Sequence, residues 1–438
     1  MDYMKNIKDL QTKVFINSKG SIENVGIEFK KRYPNFKAFV VFDINTKKVA
    51  GDKVIDLLKK SDIEVLSFLL IGDSEENICP YFTKVKDLKK NSPNGNFIPV
   101  SVGSGTINDL VKRFSYEIHV PYLCIPTAPS VDGYSSFGAA LIVDDFKVTV
   151  PCSAPEMIIA DSNIMKTAPI EMISAGYGDL YAKNTAGTDW IIADKMRIES
   201  INKKVWDIFH SNLKVWLKNP QKINTANNEV LSGIFAGLCA SGFAMQIYGS
   251  SRPASGLEHN LSHVWEMEYE KDGLRISHGF KVSVGILIST AITESFLKYP
   301  IEKLNIKKII ANRESWETRK NKINRVFSTN MISKKAQETS AAKWIDDKEL
   351  EKRLNLLKEK WPEIRSIVQN NTIPFEKVKS DLKEAGCPTS MKEIGLSNDI
   401  IRESVIKAQM IRNRYILIEA VYDCGLMSDI LDIVETYF

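Results

Sequence analysis

The sequence predicts an α/β N-terminal half followed by an all-helical C-terminal half. Three observations predict it. Short apolar runs alternate with amphipathic stretches from Lys37 to Asp161. From Thr167 to Phe438 the apolar positions recur almost only at helical spacing. A glycine-bearing turn, Ser101-Val-Gly-Ser-Gly105, joins a strand pattern to a helix pattern inside the first half. Strands alternating with helices build a mostly parallel sheet covered on both faces. The expected division is residues 1–165 as a Rossmann-like α/β domain and residues 166–438 as an all-helical domain.

In chain order, the first forty residues are mixed, with amphipathic traces from Ile22 to Tyr33. Lys37-Ala-Phe-Val-Val-Phe-Asp43 is an apolar run of strand length and is followed by an Asn45-Thr46 turn. Asp52 to Lys60 has helical spacing, and Glu64 to Ile71 is a second strand. A helix ending near Lys90, a strand from Phe97 to Val102, a helix from Thr106 to Phe114 and a strand from Tyr122 to Pro126 continue the alternation. Two apolar runs around Asp144-Asp145 predict a hairpin from Phe137 to Val150, and Met157 to Asp161 is one more strand. The charge-rich helices between Lys303 and Glu363 read as solvated faces.

With 44% apolar residues over 438 positions, the chain can bury two or three cores. A formal charge of +5, without basic runs interleaved with aromatics, gives no reason to expect nucleic acid. The six cysteines are scattered, with no C-x-x-C pair, which argues against a zinc knuckle or a disulfide framework and fits a reducing cytoplasm. Charges at Asp2, Lys5, Lys8 and Asp9 leave no signal-peptide core. Leu231 to Gly249 lacks charge over nineteen residues. Its Gly, Ala and Ser content makes it a helix buried on all sides rather than a membrane span.

Chemistry concentrates in one stretch. Of five histidines, three (His259, His263 and His278) fall within twenty positions. His259 and His263, spaced i, i+4, project from one face of a helix, and imidazoles at that spacing suit a divalent ion. His278 joins them if the Lys271-Asp272-Gly273 turn folds the chain back. The plain alternative is a helix carrying two surface or core histidines. Asp179, after Gly176-Tyr-Gly178, reads as an N-cap or as the carboxylate that two neutral imidazoles lack.

Two loops follow predicted strands. In Gly103-Ser104-Gly105-Thr106-Ile107, glycines let backbone amides approach phosphate at a helix N-terminus, although Asn108 stands where a third glycine would complete the dinucleotide fingerprint. A tight strand-to-helix turn would look the same. Asp109 reads as a first-turn partner of Lys112 or Arg113. Thr127-Ala-Pro-Ser130-Val-Asp132-Gly-Tyr-Ser-Ser136 gathers hydroxyls and one carboxylate where open α/β sheets bind ligands, or forms a turn capped by Asp132.

Taken together, Gly103-Ser-Gly105, Thr127-Ala-Pro-Ser130-x-Asp132, Gly178-Asp179, Ser250-Ser-Arg-Pro-Ala-Ser-Gly256-x-Glu-His259-x-x-Ser-His263 and His278-Gly279 resemble the sn-glycerol-1-phosphate dehydrogenase family. That family sits in the metal-dependent ("iron-containing") alcohol dehydrogenase superfamily, beside glycerol dehydrogenase and 3-dehydroquinate synthase. The resemblance runs from about Val40 to Val284 and more faintly to Tyr415. Leu257 stands where a small residue is usual, and the helical C-terminal region is longer than typical.

The resemblance implies a dehydroquinate synthase-like fold and reduction of dihydroxyacetone phosphate to sn-glycerol 1-phosphate. It implies that Asp179, His259 and His278 bind one divalent metal (Zn, Ni or Fe), that His263 and Asp132 face the substrate, and that Asp179 serves catalysis as a ligand. It also implies that Gly103, Ser104, Gly105, Thr106, Ile107, Thr127, Ser130 and Ser136 hold NAD(H) or NADP(H). Asp43, at a strand end, is placed for the adenosine ribose, which favours NAD. Arg252 is a candidate for the substrate phosphate, or else a structural arginine ahead of a helix. The expected assembly is a cytoplasmic homo-oligomer acting on a small molecule, without nucleic acid or a membrane span. Rival readings are a sugar-phosphate cyclase, a glycerol dehydrogenase, and a non-catalytic protein with a structural metal.

Overall fold

The computed structural model describes residues 10–72, 78–143, 146–269 and 276–438. The Asp144-Asp145 and Lys271-Asp272-Gly273 turns and the first nine residues lie outside the described residues. The chain divides into two compact units: residues 1–180 with 207–250, and residues 181–206 with 251–438. The change from strand to helix patterning predicts a single cut after residue 165. The contacts group differently, because a late helix belongs to the sheet's core.

The first unit is built on a parallel sheet of six strands in the order β1-β8-β5-β4-β2-β3. These are β1 (Val14–Ser18), β2 (Lys37–Phe42), β3 (Val65–Leu69), β4 (Phe97–Gly103), β5 (Leu123–Pro126) and β8 (Met157–Asp161). The expected strands are all present, and β6 (Gly138–Val143) and β7 (Phe146–Pro151) form the expected antiparallel hairpin. β1 is the exception. It pairs with β8 at the sheet edge and is only partly buried, so its short Val-Phe-Ile run never stands out from the mixed N-terminus.

Period-two alternation sorts the strand side chains onto opposite faces. Phe39 and Val41 of β2 join Cys124, Ile158 and Ala160 on one face. Ala38, Val40 and Phe42 join Ile98, Val100, Ile125 and Ile159 on the other. The second face is covered by α1 (Val25–Arg32) and α2 (Asp52–Lys60), through Phe29, Val54 and Leu58. The first is covered by α3 (Phe82–Asn91) and α4 (Gly105–Glu117), through Leu88, Leu110 and Phe114. Later come α5 (Ile170–Lys195), α6 (Lys203–Trp216) and α7 (Asn228–Tyr248). From α7, Phe235, Cys239 and Phe243 enter the sheet's core.

In the second unit, α8 (Leu257–Glu268) packs along α9 (His278–Lys298) and along the helix Ile401–Met410. Gly285 sets the closeness of the α8–α9 crossing, since a Cβ there would stand 2.6 Å from the Glu258 carbonyl oxygen. Two described helices, α7 and α9, are long and apolar enough to cross a membrane, and both are mostly buried inside the fold. Buried core helices have that composition.

Candidate functional site

In the first unit, β2, β4 and β5 are neighbours and run parallel. The residues just past their carboxyl ends therefore collect at one sheet edge, where ligands of open α/β sheets sit. Asp43, Gly103 to Ile107, and Thr127 with Ser130 all lie there. Ser104 occupies the N-cap position of α4, yet its side chain makes no capping hydrogen bond. The first-turn N–H groups of α4 thus keep the positive end of a thirteen-residue helix available to an anion. A Cβ on Gly103 would press on Ile107, and one on Gly105 would come within 2.9 Å of Val131, so this turn needs glycine at both positions.

The hydroxyls near it are engaged locally. Ser130 Oγ pairs with Tyr134 OH at 3.3 Å, and Ser136 Oγ donates to the Gly133 carbonyl at 3.1 Å. Thr127 N–H donates to Gly103 O at 3.1 Å, tying the two loops together. Buried Lys112 donates to the Gly133 and Gly138 carbonyls and pairs with Asp109 at 3.2 Å, the helical partnership the spacing suggests. Asp43 caps the turn Ile44–Thr46: its Oδ1 accepts from Thr46 N at 2.6 Å and from Thr46 Oγ1 at 2.9 Å. That cap consumes one carboxylate oxygen.

Asp132 and Asp179 meet through the backbone. Asp132 N–H donates to Asp179 Oδ2 at 2.8 Å, and Ser241 Oγ donates to Asp132 Oδ2 at 3.0 Å. The loop carrying Asp132 lies against α5 at Gly176, where any Cβ would run into the Pro129 carbonyl. Asp179 is not an N-cap, contrary to one reading of its sequence. It sits inside α5, more than two turns from the start of that helix, and is buried.

In the second unit the three histidines cluster. The His259 and His278 ring centroids are 5.3 Å apart, and those of His263 and His278 are 5.8 Å apart. Each ring is oriented by a carboxylate. His259 Nδ1 lies 2.8 Å from Glu258 Oε1, whose other oxygen accepts from Thr185 Oγ1 at 2.9 Å. His278 Nδ1 lies 3.2 Å from Glu266 Oε1, and His263 Nδ1 lies 3.3 Å from Glu266 Oε2. Carboxylates on Nδ1 fix the tautomer and raise the basicity of the opposite nitrogen. His259 and His278 are two candidate ligands for a metal ion, and Asp179, buried on α5, is a third.

His263 differs from the other two. Its Nε2 accepts from Arg412 Nη2 at 3.1 Å, and burial, with the charge of Arg412 adding, lowers its pKa. Deeper in, Asp189 accepts from Leu257 N–H and Leu417 N–H at 3.0 and 2.7 Å. Burial, and then the nearby Glu258 carboxylate, push its carboxyl up to about 7.

Arg252 has a structural place instead of the phosphate role suggested for it. Fully buried, it donates to the Asp189 carbonyl at 3.1 Å and pairs with Glu199 at 3.1 Å. Arg412 and Arg414, which the sequence reading passed over, reach the serine loop ahead of α8. Arg412 Nη1 donates to Ser255 Oγ at 3.0 Å, and Arg414 donates to Ser255 O and Ser251 Oγ at 2.6 and 3.1 Å. The signal was an Arg-Asn-Arg run inside an otherwise apolar stretch from Met410 to Ile418.

The family model described as iron-containing alcohol dehydrogenase matches residues 17–169. A glycerol-1-phosphate dehydrogenase [NAD(P)+] of Geobacillus thermodenitrificans is 29% identical over 400 residues, 91% of this chain and 89% of that protein. Those of Thermococcus kodakarensis and Pyrococcus horikoshii are 34% and 30% identical, over 58% and 62% of this chain and 69% and 76% of theirs. Among solved structures, a glycerol dehydrogenase from Schizosaccharomyces pombe superposes with a TM-score of 0.61 at 14% identity, over 97% of this chain and 89% of that one.

Proposed function

We propose, since the chain belongs to the glycerol-1-phosphate dehydrogenase family, that it moves hydride reversibly between NAD(P)H and dihydroxyacetone phosphate, giving sn-glycerol 1-phosphate. The observation that carries the reading is the pairing of His259 and His278, each ring set against a carboxylate through Nδ1, with the buried Asp179 of α5 as the carboxylate that would complete the set. Two imidazoles and one carboxylate suit Zn, Ni or Fe and leave coordination positions open. The residues around them have the character such a set requires: Glu258 and Glu266 hold the Nδ1 atoms, and the Asp132 N–H orients the Asp179 carboxylate. A divalent cation held there supplies Lewis acidity to a substrate carbonyl.

The chain's own residues would do the rest. The α4 N-terminus, from Gly103 to Ile107, would take the pyrophosphate of the dinucleotide, with Thr127, Ser130 and Ser136 shaping the adjoining wall. Asp43 would turn its remaining carboxylate oxygen to the adenosine ribose, which favours NAD. His263, with both ring nitrogens in hydrogen bonds to Glu266 and Arg412, would orient the substrate side of the site. Asp132 would face the substrate and hold Asp179 in place. The glycerol dehydrogenase reading rests on likeness of fold alone, at 14% identity.

An NADH oxidation assay on metal-analysed protein tests the proposal. Dihydroxyacetone phosphate should be turned over steadily, far better than unphosphorylated dihydroxyacetone. Chelation should stop turnover, and added Zn, Ni or Fe should restore it. Turnover indifferent to chelator would refute the metal role, and a preference for dihydroxyacetone would move the protein to glycerol chemistry. Asp132→Asn keeps the backbone N–H to Asp179 but removes the carboxylate charge that would face the substrate, and should lower kcat or raise the substrate KM by about tenfold or more. NADH affinity should barely move. A selective loss of NADH affinity would assign Asp132 to the cofactor side.

A further inference from the structure

We propose that Arg412 and Arg414, seated on Ser251 and Ser255, form the site that takes the phosphate dianion of the substrate. This rests on the reading above that the substrate is a phosphorylated triose.

Four observations carry it. First, the two guanidiniums stand side by side with neutral partners. Ser255 Oγ accepts from both, at 3.0 Å each, and Ser251 Oγ accepts from Arg414 Nη2 at 3.1 Å. Among the described residues, no carboxylate forms an ion pair with either. By contrast, half-buried Arg353 pairs with Asp423 and buried Arg319 with Glu314. Second, placing two like charges together is costly. Burial, and then the charge of Arg412, push Arg414 down to about 9, and burial lowers Arg412 as well. Two guanidiniums set side by side over neutral hydroxyls favour an anion between them. Third, a guanidinium carries more N–H donors than these acceptors take up, and both side chains are only partly buried, so donors remain accessible. Paired donors of this kind match phosphate oxygens.

Fourth, the site is joined to the histidines. Arg412 Nη2 reaches His263 Nε2 at 3.1 Å, and His263 lies one ring from His278. An anion on Arg412 would therefore be held one hydrogen bond from His263, whose ring neighbours that of His278. The segment from Ile411 to Ile416 leaves the helix Ile401–Met410 in a non-helical run, which lets residues two apart point to the same serine loop.

Thermal melting in saturating NADH, with inorganic phosphate as the probe, tests the site without turnover. Phosphate should raise the melting temperature of the wild type and of Lys308→Gln, and should fail to do so for Arg412→Gln and Arg414→Gln. In steady state, phosphate should compete with dihydroxyacetone phosphate, and each variant should raise that substrate's KM by about ten- to a hundredfold, the range for one hydrogen bond to a charged group. In each variant kcat/KM for dihydroxyacetone phosphate should fall by a larger factor than kcat/KM for dihydroxyacetone. Arg412→Lys, which keeps the charge but loses the fork, should fall between and guards against a variant that merely unfolds. Phosphate stabilisation that survives in both glutamine variants, or is missing from the wild type, overturns the site. A wild type that binds phosphate through these arginines yet does not oxidise NADH with dihydroxyacetone phosphate would instead refute the proposed reaction and leave the anion site standing.

Discussion

Replacing His259 with alanine is expected to leave a folded protein that retains no metal and turns over on the order of a thousandfold more slowly, the scale of several kcal/mol of lost charge stabilisation. The imidazole is one of the three proposed ligands, and the other two would not hold the ion without it. Its neighbour sharpens the expectation. Glu258 accepts from the Gly256 N–H at 2.6 Å and from Thr185 as well as contacting His259, so the start of α8 stays anchored without the ring. Metal analysis after dialysis and a melting curve check both halves of the claim. An alanine variant that is metal-free and fully active would remove this site from the chemistry.

Gly176→Ala is expected to destabilise the protein, although glycine to alanine inside a helix ordinarily stabilises by about 1 kcal/mol. The reversal comes from the Pro129 carbonyl, which occupies the space an added Cβ needs. A backbone atom in a loop held by Tyr134 and Ser135 cannot swing aside as a side-chain tip would: Tyr134 OH donates to Ala128 O at 2.6 Å, and Ser135 Oγ donates to Cys239 O at 2.8 Å. Overpacking of this kind costs about 1–3 kcal/mol. As the loop gives way, the Asp132 N–H to Asp179 bond should lengthen and metal affinity should fall by about tenfold or more. NADH binding at the α4 N-terminus should suffer less. A melting temperature and a metal titration equal to the wild type's would show that the loop is not held where Gly176 permits it.

Much of the first unit was legible because each strand announces itself locally. Ala-Phe-Val-Val-Phe and Met-Ile-Ile-Ala are runs too apolar for anything but a sheet buried on both faces, and the structure buries every residue from Ala38 to Phe42 and from Met157 to Asp161. β1 was missed because an edge strand is buried less and needs a weaker pattern. The buried character of α7 was also legible, from nineteen residues without a charge. Which core it fills was not, since an all-round apolar helix has no face to indicate its neighbour.

In the candidate site, the i, i+4 histidine pair could be read directly, because helical geometry places both rings on one face. The resemblance supplied the roles of Asp179 and His278. The supporting layer could not be read. Glu258 and Glu266 look like ordinary helix-surface acids in the sequence, yet both hold imidazoles. Arg252 could be read as an anion ligand or as a structural arginine, and its contacts with Glu199 and Asp189 give it the structural place. An arginine's role depends on which acceptors lie within reach, and those acceptors are contributed by segments distant along the chain.

By itself the sequence determined the order of strands and helices, the parallel sheet, the glycine turn at a helix N-terminus and the histidine pair, because backbone sterics and side-chain periodicity act within a few residues. The tertiary structure decided which carboxylate holds which ring, that α7 belongs to the sheet's core, and that Arg412 and Arg414 close on a serine loop some 160 residues earlier. Those choices depend on packing and on where each buried polar group finds its partner, and no local pattern encodes the partner's address.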